Sequence, residues 1–323
     1  MRIATGSFFS SQVDILSEQY EKISKYNTQI DTGYKLQRSS EDPVLAYRIK
    51  LTGDYINNLE AYTQNGISAR NRNEMFQSAS TQAINLIDNI NQVLVSSAND
   101  TQADSTRAAL GGQIQEYLKN LFNIANSKDG TGQYIYAGFN SDVPPFTKNN
   151  NSYTYNGGFE KTSINIGPNN QVVFSDSGYD VFGKILQGNG SFVVTANSAN
   201  TGSGWTDAGV VFDTSAYVSD NYTISFAQNA AGETVYSVTG AVSGQVVPPL
   251  PATIPNDAPV VTDQISFNGI SLKMHGTPNP GDSLTIQPAQ YESVFDTVQQ
   301  MVDLLGTGVN SDPAKQAQFH QVL

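Results

Sequence analysis

Apolar residues recur at alternating intervals of three and four near the start of the chain: Val13, Leu16, Tyr20, Ile23, Asn27 and Ile30. That spacing places them on one face of an α-helix, as in the seam of a coiled coil or bundle. Asn27 sits on the seam, where a polar side chain fixes register at some cost in stability. Two packings give this pattern. Either another chain covers the seam, or the helix packs on its own domain, and spacing alone does not separate them.

Gly33 breaks the first helix, and Ser39-Ser40-Glu41-Asp42-Pro43 starts the next. Asp42 at the N-cap accepts an orphan N–H, while Pro43 at the first helical position has none to leave unpaired. Leu45, Ile49, Thr52, Ile56 and Leu59 then continue the three–four spacing. Phe76, Ala79, Ala83, Leu86, Ile90 and Val93 resume it, with Ile87 and Leu94 widening the stripe. A further start near Asp104-Ser105 precedes Leu110, Ile114, Tyr117, Leu121 and Ile124, and Gly130-Thr131-Gly132 closes the helical block.

From about residue 134 the period changes to two. Strands are predicted at 153–155, 164–166, 172–174, 192–194, 222–226, 235–238, 265–267 and 284–286, separated by Gly, Asn, Asp and Pro clusters. The Pro-rich stretch from Val246 to Pro259 cannot feed a hydrogen-bond ladder, so it is placed at an edge or between subdomains. Helical spacing returns after Pro288 with Val294 or Phe295, Val298, Met301 or Val302, and Leu305, and Asp312-Pro313 signals one more helix start. The predicted class is α+β: a discontinuous helical domain (43–133 with 289–323), an antiparallel β-rich insertion (134–288) and an N-terminal segment (1–42).

Composition narrows the function. Charged residues make up 14% of the chain, well under the ~25% usual for globular domains, and the net charge is −12. Such a surface repels phosphate backbones and anionic bilayers, so neither nucleic acid nor membrane insertion is expected. Cysteine is absent, which removes disulfides, thiolate metal sites and thiol nucleophiles. The start has no apolar stretch of the signal-peptide kind, which points to the cytoplasm unless an export route without a cleaved leader applies.

Several segments resemble the flagellin superfamily and, within it, the hook-associated protein 3 family of the hook–filament junction. They are Met1-Arg2-Ile3, Ile30 to Leu36 followed by Ser39 to Pro43, Gly132 to Phe139 with Pro145-Phe146, Gly281 to Ile286, and Ser293 to Asp296. Asp42-Pro43 favours the junction family over flagellin, which usually has Asp-Ala there. The likeness covers roughly half of the chain, and the region from about 150 to 260 is placed by layout alone. It implies a secreted structural subunit at the cell exterior, exported by the flagellar type III apparatus and assembled by helix packing. Implied partners are hook-associated protein 1, flagellin, neighbouring copies and an export chaperone that engages the C-terminal segment. The family's long C-terminal helix is represented only by its first turns up to Leu323, so the chain is expected to lack most of it and to leave Val13 to Ile30 without that partner. The candidate interface is therefore Val13, Leu16, Tyr20, Ile23, Ile30, Leu45, Ile49, Ile56 and Leu59, with Asp42 and Pro43 as the helix start.

Alternative functions are a flagellin filament subunit and, from a different class, a carbohydrate-binding or hydrolytic surface module. Gly178 to Lys184 matches most of a phosphate-binding loop, but Ile185 replaces the hydroxyl residue that holds Mg²⁺. His275 and His320 lie in different segments without ligand spacing. Asp129-Gly130 lacks the alternating acids of a calcium loop. Asp176, Asp180, Asp207, Asp213, Asp220 and Glu233 are scattered, with nothing to fix a pair ~5–9 Å apart. No catalytic, cofactor or metal assignment follows, and the chain is not expected to be an enzyme.

Overall fold

Helix α1 (Arg2–Thr32) and helix α2 (Pro43–Ser97) occupy nearly the first hundred residues of the computed structural model, which describes residues 2–99, 102–247, 260–306, 308 and 313–322. The chain divides into two units, residues 1–67 with 165–170 and residues 68–164 with 171–323. The two apolar runs at 45–59 and 76–94 belong to one continuous helix of 55 residues, because neither Gly53 nor Gly66 interrupts its hydrogen bonding.

In the second unit, α2 packs with α3 (Asp104–Ala125) and α4 (Val294–Leu305). Helix α3 begins at Asp104 as expected, but Ala103 occupies the cap and makes no side-chain bond. It ends at Ala125, earlier than the Gly130-Thr131-Gly132 stop, because Asn126 turns out of the helix to exchange hydrogen bonds with the backbone of Phe146 at 3.0 and 3.1 Å. Helix α4 is capped by Ser293, whose hydroxyl accepts from the Phe295 N–H. The core joins Ile90, Val93 and Leu94 of α2, Ile114, Leu118 and Leu121 of α3, and Phe295, Val298 and Leu305 of α4. A Cβ built on Gly111 would stand 3.2 Å from Leu305, so α3 and α4 meet at nearly backbone contact.

The β-structure follows chain order in short pieces. Strands β1 (Phe146–Asn149) and β2 (Ser152–Tyr155) form a ribbon, as do β3 (Thr162–Asn165) and β4 (Gln171–Ser175). Next come β5 (Ile185–Leu186), β6 (Phe192–Ala196), β7 (Trp205–Thr206), β8 (Val210–Val211), β9 (Tyr222–Gln228), β10 (Thr234–Gly240) and β11 (Gly244–Val247). The last strands are β12 (Gln264–Phe267), β13 (Ile270–His275), β14 (Ser283–Pro288) and β15 (Tyr291–Glu292). One sheet has the order β11-β10-β9-β14-β6; the other has β12-β13-β7 with β8 also on β13; β15 pairs with β5. Alternation decides what is buried. Tyr222, Ile224 and Phe226 of β9, Leu284 and Ile286 of β14, and Ile270, Leu272 and Met274 of β13 turn into one apolar cluster, while Thr223 and Ser225 face out.

All eight predicted strand runs fall on strands, with Ile166 just past the end of β3. Strand β13 was not predicted. Its hairpin turn is Asn268-Gly269, both at positive φ (41° and 74°), the dipeptide that favours tight antiparallel turns. Val246 and Val247, expected in a loop, belong to the edge strand β11, where Val247 pairs with Val238 of β10 and Val246 sits in a bulge. The remainder of that Pro-rich stretch, 248–259, lies outside the described residues, as does Asp312 before the helix α5 (Pro313–Val322).

One buried ion pair ties α2 to the segment after α3. Asp129 Oδ2 accepts from Arg72 Nη1 at 2.6 Å, and Oδ1 accepts from Thr131 N, Thr131 Oγ1 and Gln133 N. Burial opposes ionisation of Asp129, but these donors outweigh it and hold its pKa below the ordinary carboxylate value. Breaking a buried pair leaves an uncompensated charge, so Asp129→Ala is expected to cost about 3 kcal/mol in urea unfolding of the second unit. A depressed carboxylate contributes stability that is present above its unfolded pKa and lost as pH falls through its folded one. The gap between the parent and Asp129→Asn should therefore narrow as pH drops through and below the usual carboxylate range, and a gap independent of pH would contradict the assignment.

Candidate assembly surface

The first unit buries little of its own apolar surface. On α1, Val13, Leu16, Tyr20, Ile23 and Ile30 are exposed; on α2, Ile49, Ile56 and Leu59 are exposed and Leu45 is half-buried. Exposure of these residues, Leu45 aside, runs from 42% at Leu59 to 78% at Tyr20 and Ile30. At 3.6 residues per turn the five on α1 share one stripe, and Phe9, four residues before Val13, extends it.

The surface is broader than the predicted seam. Phe8, Ile15 and Tyr26 lie roughly a quarter turn round α1 from the stripe. Val44, Leu51 and Tyr55 do the same on α2. Phe9 was recoverable from its i, i+4 relation to Val13; the side stripes fall off the three–four spacing, so that spacing alone misses them. Covering a large apolar side chain is worth about 1.5–3 kcal/mol. Nine such residues stand exposed on α1 among the described residues, a face far beyond the scattered apolar exposure of an ordinary surface.

The ion pair of α1 lies off the stripe. Glu18 and Lys22 pair at 2.7 Å roughly opposite it round the helix. Their hydrogen bond, with charge attraction added, lowers the Glu18 pKa and raises that of Lys22. An exposed pair of this kind is screened and contributes little to stability.

The bend between the helices is built by local side-chain bonds. Gly33 adopts φ 71° and donates its N–H to Gln29 O at 2.9 Å, a left-handed helix end that glycine accepts without strain. Gln29 Nε2 donates to Lys35 O at 2.6 Å, and Gln37 Nε2 donates to Thr32 Oγ1 at 2.6 Å and Tyr34 O at 3.0 Å. Glu41 Oε2 accepts from Gln37 N at 3.3 Å and stands 3.6 Å from Lys25 Nζ. Asp42 Oδ1 then accepts from Leu45 N at 2.9 Å, so Asp42 and Pro43 start α2 as the sequence implied. Asn65 Nδ2 donates to Asn165 O at 2.8 Å, which holds the 165–170 turn to the first unit.

The positions weighed for chemistry have structural occupations. Gly178 to Lys184 includes a π turn at Tyr179–Gly183, with Phe182 in the aromatic core and no helix behind it to receive a phosphate. Asp207 accepts from the backbone of Gly209 and Lys273, Asp213 from Ser215 and Ala216, and Asp220 from Asn221, Val242 and Ser243. Asp176 pairs with Lys161 at 2.7 Å, and Glu233 accepts from Asn229. Among the described residues no group of three or more His, Asp or Glu side chains could hold a metal ion, and no helix is long and apolar enough to cross a membrane. His275 and His320, remote in sequence, both stack on one side chain, Trp205.

Comparison with known proteins places this architecture. Residues 7–141 match the model described as the bacterial flagellin N-terminal helical region. The chain is 26% identical over 185 residues to flagellar hook-associated protein 3 of Escherichia coli (strain K12), covering 57% of this chain and 58% of that protein. The match therefore spans about 58% of that curated relative's length. The crystal structure of the flagellar junction protein FlgL from Legionella pneumophila superposes with a TM-score of 0.79 at 32% identity, covering 85% of this chain and 90% of that one. Xanthomonas campestris FlgL shares the fold, with a TM-score of 0.74 at 24% identity over 83% of this chain and 84% of that one.

The bend is open to a direct check. Asp42→Ala removes one cap bond worth about 1 kcal/mol, so amide exchange at Leu45 should quicken by roughly fivefold while Asp42→Asn leaves it nearly unchanged. Equal exchange in the parent and the alanine variant would remove Asp42 from this role.

Proposed function

The chain belongs to the hook-associated protein 3 family of flagellar junction proteins, and from that premise we propose that it is a structural subunit joining hook to filament outside the cell. The supporting observation is the apolar surface of α1 and the first part of α2, which the described residues leave uncovered. A surface of that size is costly in water unless something covers it, and helices with seams are covered most efficiently by other helices. In a helical array each copy presents its seam to a different patch of the next, a contact that does not close on itself.

The partners that suit this role are hook-associated protein 1 on one side, flagellin on the other and further copies of the chain alongside. Residues 1–42 act as the axial segment, mobile until assembly, with 43–133 and 289–323 as the helical domain and 134–288 as the β-rich insertion, of which β6 to β14 form the sandwich apart from the helical core. Export through the flagellar type III channel, assisted by a chaperone at the C-terminal segment, accords with a chain that holds no cysteine to cross-link. The role is mechanical. The acids considered for glycosidase chemistry, Asp180 aside, are engaged in turns or ion pairs.

Two outcomes test this. In cells that carry it, Val13→Glu with Ile23→Glu should abolish filament attachment while the circular dichroism of the second unit is unchanged; motile cells with normal filaments would refute the proposal. In the isolated subunit, α1 amides should exchange nearly as fast as an unfolded chain, since a helix without tertiary cover is marginal, and should become protected on assembly. Strong protection in the monomer would contradict the assigned role.

A further inference from the structure

Two cores make up the second unit, and little joins them along the chain. The helical core centres on Phe295, Leu118 and Ile114, and the sandwich core on Ile224, Leu272 and Leu284. The chain leaves the first and returns to it through β5 and β15, a ribbon with only two residues on each strand. Gln187 N donates to Gln290 O at 3.0 Å and Gln187 Nε2 donates to Glu292 Oε2 at 2.9 Å beside it. Ile185, Leu186 and Tyr291 on this neck are exposed. So thin a connection, standing in water, does little to hold one core still against the other.

Helix α5 lies across that gap. It packs on β6 of the larger sheet, on β7 of the smaller sheet and on α4. Three consecutive residues make separate attachments. Phe319 is buried in the helical core, with the Arg107 guanidinium of α3 5.2 Å from its ring centre. His320 stacks on Trp205 of β7 at 4.9 Å and 20°, and His275 of β13 stacks on Trp205 as well, at 4.3 Å and 17°. Gln321 Oε1 accepts from both Thr206 N (2.9 Å) and Thr206 Oγ1 (3.2 Å). Successive helical residues point about 100° apart, so these attachments grip different sides of one short helix.

We infer that α5 is a clasp: Phe319 anchors it in the helical core, His320 and Gln321 hold the sandwich, and the bridge between them locks the orientation of one core to the other. With the clasp closed the sandwich is a rigid projection. With it open, the β5–β15 neck is the main remaining tie among the described residues and the sandwich swings. The inference rests on geometry within the second unit and is independent of the proposed place in the flagellum.

A clasp has a property that a simple packing helix lacks: cutting it at either end must give the same result. The chain contains no cysteine, so spin labels at Lys119→Cys on α3 and Thr223→Cys on β9 report the distance between the cores without background. The parent should give a narrow distance distribution by double electron–electron resonance. His320→Ala with Gln321→Ala cuts the sandwich end, and Phe319→Ala cuts the helical end; each should broaden the distribution at least about twofold while circular dichroism stays native. His320→Phe, which keeps a ring on Trp205, should keep the distribution narrow. An unchanged width in either cut, or a broad distribution in the parent, would overturn the clasp. If Phe319→Ala unfolds the helical core, the His320 and Gln321 variant leaves that core untouched and decides alone.

Discussion

The close approach of α3 and α4 is the constraint on which the second unit depends. Gly111 lets the two helices meet at Leu305, and Phe295 then reaches an aromatic cluster in which Phe146, Tyr153, Phe122 and Phe182 surround it at centroid distances of 4.9 to 5.9 Å. Edge and tilted ring pairs of this kind contribute about 0.5–1.5 kcal/mol each beyond their burial. Because residues 294–305 return to residues 104–125, the stretch from β6 to β14 can form a separate module without opening the helical core. The α+β layout follows from that closure.

The two units treat apolar residues in opposite ways. In the second, nearly every seam residue is covered: Ile90 and Val93 by the bundle, Leu121 and Phe295 by each other's neighbours. In the first, residues of the same kind and spacing stand in water. The distinction does not come from propensity, since the same three–four spacing appears in both. It comes from whether the described residues supply a partner.

That difference also explains what was legible in the sequence. Helix boundaries at Gly33 and Pro43 were readable because each rests on local capping chemistry, while the start at Asp104 was placed correctly although Ala103 at its cap makes no side-chain bond. Strands with clean alternation, such as Tyr222 to Phe226, were likewise readable. The missed elements depend on distant partners. Strands β7 and β8 have two residues each and exist only because β13 offers its edge, and Val246-Val247 becomes strand through β10. Strand β13 itself was recoverable, since Asn268-Gly269 is a hairpin signal. The stacking of His275 and His320 with Trp205 was beyond reach: their separation in the chain carries no periodic pattern. Among the interface candidates, the stripe could be read from spacing but its width could not.

Strand β14 lies at an inner position of the larger sheet, with residues 283–288 seated between β9 and β6. The hairpin of β9 and β10 is closed by bonds within residues 228–233, so it forms locally as the chain emerges. The flanking ladders of β6 and β9 have no mates until a segment more than fifty residues later arrives. Loop closure over that distance makes this the slow, non-local step in building the sandwich. Until it is complete, two bare strand edges stand open to any neighbouring chain, so nascent or partly refolded molecules are most exposed to mispairing in the interval before Pro288 is in place.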